Sequence, residues 1–430
     1  MKFCALMVAA GILALSALRA QEPDIVAPDV ELNSGTDASA SSAQILPPTT
    51  PDEADALEQS LYAGDQSVAD APVEPTAQSR PWKLNLHASA GSHYDNNIFI
   101  SSSHNQSDLV TRLMAGGGIT LGDYTARQDS YLTFDYAGIA ELFGRHSNQD
   151  AYEQQSSFDG LLRFAHLTLG NDFEFQHMSD EDIELGTRTP RQTYADNFDA
   201  RYDVDDKTYV EASGKVTITN YDIYLDSNDE RGGLYFNYLL NPDLTIGLGA
   251  MGGVLNVQDS GSQTYEQLLS SVQVDATGKF TLKATAGVEN RQREIGGNLI
   301  TPVFEFTGAY NPFEGLGINI TAFRRVLNSA YYTGYDYIAT GVTVGLQYKL
   351  SSRFTLMLDT GWQCSDYQDI ASSSTISRTD DYYFVHPGLR YTASAHCNVE
   401  IYYFGRKDSS TVGTSSFEDT QAGLTVNFTY

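Results

Sequence analysis

Apolar and polar residues alternate along most of the chain from Trp82 onward, in segments of about ten residues or more. Successive side chains of a β-strand point to opposite faces, so each segment has one apolar and one polar face. Strands of soluble β-sandwiches are typically about five or six residues long, whereas a tilted strand needs about nine to eleven to cross a bilayer. The length of the segments therefore predicts an all-β fold, a transmembrane antiparallel up-and-down β-barrel.

The alternation predicts about eighteen strands (16–18), an even number as in bacterial outer-membrane barrels. In one of them, for example, Val342, Val344 and Leu346 alternate with threonine, glycine and glutamine. The predicted strands are 83–94, 107–121, 127–143, 153–164, 167–178, 191–203, 207–220, 231–240, 243–257, 263–276, 279–291, 301–311, 315–327, 335–350, 353–366, 380–392, 396–407 and 417–430.

The last predicted strand ends the chain on an aromatic residue. Its apolar face is formed by Leu424, Val426, Phe428 and Tyr430. A terminal aromatic residue on the apolar face is typical of outer-membrane barrels, in which the last strand closes the ring. We expect this strand to pair with the first one, which begins at Lys83.

The links between the predicted strands alternate between short and long. Short turns fall at 122–124, 205–207, 241–243, 277–278, 311–314 and 351–352, and longer polar links near 95–106, 144–152, 179–190, 221–230, 258–262, 292–300, 328–334, 367–379 and 408–416. Short periplasmic turns and longer external loops characterise outer-membrane barrels. An even strand number places both termini in the periplasm, and a barrel of this size encloses water.

Charged residues on the polar strand faces are the candidate lumen-facing residues. They are Arg112, Asp135, Glu141, Arg163, Glu174, Arg201, Lys215, Lys283, Glu305, Arg325, Lys349, Asp359 and Arg390. Both signs occur, which suits either a wet solute pathway or an interior stabilised by ion pairs. The sequence leaves both interpretations open.

Outward-facing aromatic residues cluster near the predicted strand ends, where they would form girdles at the two membrane interfaces. They are Tyr94, Phe158, Phe164, Tyr202, Tyr238, Tyr310, Tyr348, Phe354, Tyr391 and Tyr430.

Composition excludes several other classes of protein. After residue 20 no apolar run is long enough to span a membrane as a helix, so a helical membrane protein is excluded. The formal net charge of -29 disfavours nucleic-acid binding, because phosphates need a basic surface. Cys364 and Cys397 are too few for a disulfide framework, and their outward parity on non-adjacent strands predicts neither a disulfide nor a metal pair.

The residues before the barrel form two further segments. Residues 1–20 combine a basic start with an apolar run of secretory length, which predicts a signal peptide cleaved after Ala20. Residues 21–80 are rich in Ala, Ser, Pro, Asp and Glu and contain no basic residue before Arg80. Such a composition predicts a disordered periplasmic segment. The barrel would then occupy residues 81–430.

Three other sequence features do not predict a binding or catalytic site. Residues 247–252 match G-x-G-x-x-G, but the pattern remains strand-like where a dinucleotide site needs a helix. The acidic run 180–184 lacks the glycine and spacing of a calcium loop. His104, His146 and His177 lie near external links, but no spacing dictates a nucleophile and base within hydrogen-bond reach. We predict no enzyme, no cofactor and no metal site.

The first strand turns into its loop through Tyr94, Asp95, Asn97, Ile98 and Phe99. This run resembles the Tyr-Asp-x-Asn-Ile opening of a family of outer-membrane porins, the β-barrel porin 2 group. The resemblance implies a barrel over residues 82–430 and an association with outer-membrane transport and envelope polysaccharide systems. The Asx side chains suit a tight turn, and a plain turn is preferred over a loop folded into the lumen.

Together these features predict an outer-membrane protein of a Gram-negative-type bacterium. It would be a porin-like passive channel, whose lumen charges screen solutes by size and charge, or an envelope polysaccharide-export component. The alternatives are a plugged structural or adhesion barrel without channel activity and a hydrolase with a Ser/Asp/His site at the rim. The expected partners are outer-membrane lipids, the barrel-assembly machinery and small solutes or polysaccharide, with no nucleic acid.

Overall fold

A computed structural model of the chain describes residues 81–124, 129–276, 278–293, 297–369 and 377–430. The predicted signal peptide and acidic segment lie outside the described residues. In the described part, no helix is long and apolar enough to span a membrane. Two short 3₁₀ turns, Ser147–Gln149 and Gly413–Ser415, are the only helical segments there.

Eighteen strands form one sheet. They are β1 (Trp82–Asp95), β2 (Asp108–Gly122), β3 (Tyr131–Phe143), β4 (Ala151–Arg163), β5 (Leu167–Asp182), β6 (Thr187–Asp203), β7 (Thr208–Tyr221), β8 (Ser227–Asn241), β9 (Leu244–Val257), β10 (Gly261–Ala276), β11 (Phe280–Arg293), β12 (Asn298–Phe313), β13 (Leu316–Asn328), β14 (Tyr335–Lys349), β15 (Phe354–Asp369), β16 (Thr379–Ser394), β17 (Cys397–Ser410) and β18 (Phe417–Thr429).

The sheet is closed by its first and last strands. Each strand pairs antiparallel with its neighbours in sequence, and β18 pairs with β1 in a register that places Phe428 opposite Ala88. Leu86 and Tyr430 exchange backbone hydrogen bonds of 2.9 and 2.8 Å. Closure leaves no unpaired strand edge, which a bilayer would not tolerate. The predicted fold class, an up-and-down barrel of about eighteen strands, is confirmed.

The two ends of the barrel differ in their connections. One end, here the loop end, carries the links 96–107, 144–150, 183–186, 222–226, 258–260, 294–297, 329–334, 370–378 and 411–416. The other, here the turn end, carries 123–130, 164–166, 204–207, 242–243, 277–279, 314–315, 350–353 and 395–396, together with the start of β1 and the end of β18. The longest link, 96–107, is at the loop end, as the sequence predicts.

The outer surface of the barrel is apolar. Leu248, Leu268 and Ile300 are 68%, 70% and 71% exposed, and the predicted outward face of β18 is exposed as well. A contiguous apolar belt of this kind needs a hydrocarbon environment. The strand alternation follows from this requirement, because only every second residue meets lipid.

Aromatic residues collect at the turn end of the belt. Their rings form pairs across neighbouring strands at 5–6 Å, which are Phe280–Tyr310, Phe313–Tyr348 and Phe354–Tyr391. Rings with an apolar body and a polar edge suit the interface between hydrocarbon and water. The predicted girdle residues at this end lie on the outside of the barrel.

The glycine motif of residues 247–252 lies wholly within β9. A Cβ atom added at Gly249 would lie 2.2 Å from the Tyr235 ring of β8. A Cβ atom added at the next residue but one after the motif's Met251, Gly253, would lie 2.4 Å from the Tyr265 ring of β10. The glycines therefore make room for neighbouring aromatic rings, and the motif has no following helix.

The strand limits depart from prediction most clearly between β5 and β6. Residues 179–190 are predicted as a polar external loop, but β5 continues to Asp182 and β6 begins at Thr187. The strands remain paired up to Asp182 and Thr187, leaving a tight four-residue tip. The sequence does not predict this hairpin, because neither of its faces meets lipid and both are therefore polar.

Candidate functional site

The extended ends of β5 and β6 cross the interior of the barrel. In the ring these strands are bonded only to each other, to β4 and to β7. Nevertheless Arg188 contacts Glu141 of β3, and Glu181 contacts Arg406 of β17. Such contacts require residues 180–189, here the inner hairpin, to lie across the lumen at the loop end.

The inner hairpin is held by buried ion pairs. Arg188 Nη2 lies 3.1 Å from Glu141 Oε2, and its Nε lies 3.2 Å from Glu181 Oε1. Glu181 Oε2 is 3.1 Å from Nη2 of Arg406, which also pairs with Asp419 at 2.9 Å. All five side chains are at most 7% exposed. A buried charge is tolerated only when it is paired, so loss of one partner would leave an unsatisfied charge.

The tip of the hairpin is anchored to the loop between β13 and β14. The Glu184 carboxylate accepts hydrogen bonds from the Ser329 hydroxyl and, at 2.9 Å, from the Ala330 backbone N–H. The Arg378 guanidinium donates to the Glu184 carbonyl oxygen at 2.8 Å. Burial raises the pKa of the Glu184 carboxyl from 4.5 to about 7, and the charge of Asp182 adds to the rise.

The first loop contacts the hairpin, since Arg188 Nη1 donates to the Ile98 carbonyl oxygen at 3.4 Å. Asp95 accepts a 2.6 Å hydrogen bond from the Asn97 backbone N–H, as an Asx turn does. The Asn97 amide donates at 3.0 Å to the Ser101 carbonyl and at 3.0 Å to a carbonyl of β18. Ile98 and Ile100 are 0% and 1% exposed. The Asx turn is thus present as predicted, but Ile98 and Ile100 are buried, so the segment is more than the plain turn preferred from the sequence.

An apolar cluster packs against the hairpin tip and the first loop. Ile183 of the hairpin tip and Ile100 of the first loop pack against buried side chains of β13 to β18. Those side chains are Phe323, Leu327, Tyr337, Ala339, Tyr367, Tyr382, Phe384, Phe404 and Phe417. The loop end of the lumen therefore has a side-chain core, contrary to the expectation of a lumen filled with water throughout.

The lumen toward the turn end is more open and its charges are less buried. A cavity of about 540 Å³ lies there, lined in part by His166, Arg201, Asp203 and Lys207. Arg201 pairs with Asp203 at 2.8 Å, and the two side chains are 43% and 39% exposed. Its guanidinium lies 3.7 Å from the centre of the Tyr209 ring.

A family model described as "Putative beta-barrel porin 2" matches residues 272–430 of this chain. The match runs from β10 through β18 and does not include the motif of Tyr94 to Phe99, so it supports the predicted resemblance through other residues. The second half of the barrel, from β10 to β18, is therefore similar to this porin family.

Solved structures of outer-membrane proteins are also similar to this porin-like barrel. OpdK from Pseudomonas aeruginosa is 11% identical, with 81% of this chain and 99% of that chain covered at a TM-score of 0.42. OccK2 (OpdF) from the same organism is 12% identical, with 81% and 98% covered at 0.46. OccAB3 from Acinetobacter baumannii is 9% identical, with 81% and 99% covered at 0.43. No curated protein matches the sequence.

The predicted lumen residues of this porin-like barrel fall into three groups. Glu141 is fully buried in the network of the inner hairpin. Arg163 and Lys349 are exposed near the turn end. The remaining ten residues are half-buried, namely Arg112, Asp135, Glu174, Arg201, Lys215, Lys283, Glu305, Arg325, Asp359 and Arg390.

Several of these residues have charged neighbours. Asp135 lies 3.5 Å from His87, Arg112 lies 3.6 Å from Glu153, and Arg390 lies 3.2 Å from Glu400. Several of the predicted residues therefore take part in pairs, and whether they line a solute pathway stays a prediction from the sequence.

The residues that close the loop end were not among the predicted site residues. Arg188, Arg191, Arg378 and Arg406 are buried there, each paired with a carboxylate. A local signal exists in the sequence, because the acidic run 180–184 is followed after three residues by Arg188 and then by Arg191. Opposite charges on the two arms of a short hairpin indicate mutual pairing more than a solvated loop.

The rim histidines do not form a nucleophilic site. His146 Nδ1 lies 2.7 Å from Asp108 Oδ2, but its Nε2 faces the Gln106 side-chain oxygen at 2.9 Å, where a serine would be needed. Ser103 contacts His104 at 3.2 Å in an exposed turn. Within the described ranges no group of three or more His, Cys, Asp or Glu residues could hold a metal ion. Cys364 and Cys397 are both free thiols.

Proposed function

We propose that this porin-like barrel is a passive channel for small polar solutes, with a mouth narrowed by the inner hairpin at the external end. The observation that carries the proposal is the difference between the two ends of one closed barrel. A half-exposed ion pair lies beside the cavity at the turn end, whereas the inner hairpin and the first loop occupy the loop end. Passage would then depend on size and charge, with no covalent step.

The orientation follows from the same architecture. Both ends of the described barrel, near residues 82 and 430, lie at the turn end. An acidic segment of 21–80 would emerge there into the periplasm, which leaves the loop end and the hairpin facing outward. Labelling of single cysteines placed at 101 and 242 in intact cells tests this orientation, with reaction expected only at 101.

A plugged structural barrel is the second candidate function. The buried ion pairs of Arg188 and Arg406 favour it, because a hairpin fixed in this way would block the mouth permanently. The enzymatic and polysaccharide-export alternatives have no comparable observation in their favour and stay sequence-level predictions, as do the membrane-lipid and assembly-machinery partners.

Conductance across a planar bilayer separates the two candidates. The wild type is compared with a variant in which residues 182–187 are replaced by two glycines, after gel mobility has shown that both barrels are folded. The channel proposal predicts a small conductance for the wild type and a several-fold larger one for the variant. Conductance in the variant alone would favour the plugged barrel, and no conductance in either would overturn the channel.

A further inference from the structure

Six tyrosines form a continuous line of ring contacts at the loop end. Tyr224 and Tyr331 have centroids 6.1 Å apart, and Tyr331 and Tyr332 are 4.7 Å apart. Tyr332 in turn lies 6.0 Å from Tyr367, which stacks on Tyr337 at 5.0 Å. Tyr221 extends the line at the other end, 6.1 Å from Tyr224. We refer to these six residues as the tyrosine track.

The track is exposed in the middle, at Tyr331, and buried at both ends, at Tyr221 and Tyr337. Tyr331 is 50% exposed, Tyr332 is half-buried, and Tyr367 and Tyr337 are 6% and 2% exposed. Tyr224 and Tyr331 belong to loops that are separated around the ring by β9 to β12. Their contact therefore lies over the opening, whereas the aromatic girdle lies on the lipid-facing perimeter.

The loop that carries Tyr331 and Tyr332 is held in place. The Ser329 hydroxyl oxygen accepts hydrogen bonds from the backbone N–H groups of Tyr331 and Tyr332 at 3.2 and 2.8 Å. The Leu225 N–H donates to the Ala330 carbonyl at 3.0 Å, which ties the two loops together. Rings displayed on an ordered loop lose little freedom when a ligand binds, so their exposure is favourable for recognition.

The charged residues in the neighbouring loops determine which class of flat ligand suits the tyrosine track. Asp222 lies two residues before Tyr224, and Asp259 lies in a loop whose Ser260 accepts a 2.9 Å hydrogen bond from Gly334. Both aspartates are exposed. Carboxylates repel anionic ligands but accept hydrogen bonds from hydroxyl groups. Tyrosine rings offer an apolar face together with a polar edge.

We infer that the tyrosine track is a binding site for neutral oligosaccharides at the external mouth. A pyranose ring presents a flat apolar face that stacks on the exposed Tyr331, and neighbouring sugars contact the half-buried Tyr224 and Tyr332. The exposed Asp222 and Asp259 supply hydrogen-bond acceptors for sugar hydroxyl groups. This inference goes beyond the proposed passive channel, because the site needs only the ordered loops and not an open lumen.

Calorimetric titration of the full-length protein in detergent tests the inference. The probes are two neutral hexasaccharides, maltohexaose and chitohexaose, and the anionic hexagalacturonate. We expect at least one neutral probe to bind, and Tyr331→Ala or Tyr224→Ala to weaken its Kd by roughly ten-fold. Tyr331→Phe should bind within about two-fold of the wild type, because the stacking face remains.

Tyr152→Ala is the matched control, since Tyr152 is 75% exposed on β4, outside both loops. It should bind as the wild type does. Failure of both neutral probes, tighter binding of the anionic probe, or wild-type affinity in both alanine variants would overturn the site. A barrel that conducts ions but does not bind the probes contradicts this inference alone, whereas one that binds but never conducts contradicts only the channel.

Discussion

At the loop end of this barrel, interior charges are buried and paired, whereas at the turn end they are partly exposed and line a cavity. The Arg188–Glu141 pair is 1% and 0% exposed at 3.1 Å, and the Arg201–Asp203 pair is 43% and 39% exposed at 2.8 Å. The distances are similar, so proximity does not distinguish the two pairs. Burial distinguishes them, because removing the partner of a desolvated ion costs more free energy than removing the partner of a solvated one.

The largest effect is expected from Arg188→Ala. The change leaves the buried Glu141 and Glu181 carboxylates without this partner, which costs about 3–5 kcal/mol at the hairpin. The hairpin should then leave the lumen, so proteinase K should cut within 183–186 and bilayer conductance should rise. An intact hairpin with wild-type conductance would show that the pair does not hold it in place.

The pH dependence of the hairpin should be the next largest effect. With its pKa raised to about 7, Glu184 binds a proton more tightly in the inserted hairpin than in a free one, whose pKa is near 4.5. The stabilisation from this group is complete below about pH 4.5, is lost as the pH rises toward 7, and stays lost above it. Cleavage of the tip by proteinase K should therefore be faster at pH 8 than at pH 5.

Glu184→Gln supplies the reference for this experiment, because it has nearly the same shape, keeps one acceptor oxygen for Ser329 or Ala330 and carries no charge. Its cleavage rate, measured at the same two pH values, corrects for the protease. The wild-type rate relative to this variant should increase with pH. A constant ratio would exclude Glu184 as the origin of the pH dependence.

A smaller loss is expected from Asn97→Ala in the first loop. The change removes two donated hydrogen bonds and one accepted from the Ser101 N–H at 3.0 Å, at a cost of about 1–3 kcal/mol. The temperature at which the barrel loses its heat-resistant gel mobility should fall. Asn85→Ala, at the turn end of β1, is the matched control and should change that temperature less.

The smallest effect is expected from Arg201→Ala at the turn end. Since this ion pair is partly exposed, water replaces the lost partner, and stability should change by less than about 1 kcal/mol. Tip cleavage should stay at the wild-type rate. If Arg201→Ala released the hairpin as readily as Arg188→Ala, burial would not be what separates the two ends.

The sequence predicts the barrel well, because contact with lipid requires a regular pattern of apolar residues. Every second residue of a strand must be apolar, and the terminal Phe428 and Tyr430 follow that rule to the end of the chain. Closure through β1 and β18 follows from the same requirement. The count of eighteen strands therefore came from alternation alone.

The inner hairpin could not be predicted in this way. Both faces of residues 180–189 meet protein or water, so the apolar alternation disappears and the run looks like a polar loop. Charge by itself does not show whether Glu181 or Arg188 is solvated or buried in a pair. The partners, Glu141 and Arg406, are distant in sequence, and only the folded ring brings them together.

The central claim is that the inner hairpin controls passage through the barrel, and a reversible covalent latch tests it most directly. A Cβ atom at Gly186 would lie 3.8 Å from the Ser415 Cα atom, so Gly186→Cys lies close enough to Ser415→Cys for a disulfide, at the cost of a non-glycine residue at a φ of +63°. Cys364 and Cys397 are replaced by serine in this variant, and each single-cysteine protein is the control.

Conductance of one reconstituted sample is recorded before and after a reductant is added. If the hairpin controls passage, conductance should lie below the wild-type value while the disulfide fixes the tip and should return to that value on reduction, with no change in the single-cysteine controls. Equal conductance in the oxidised and reduced states would contradict the account.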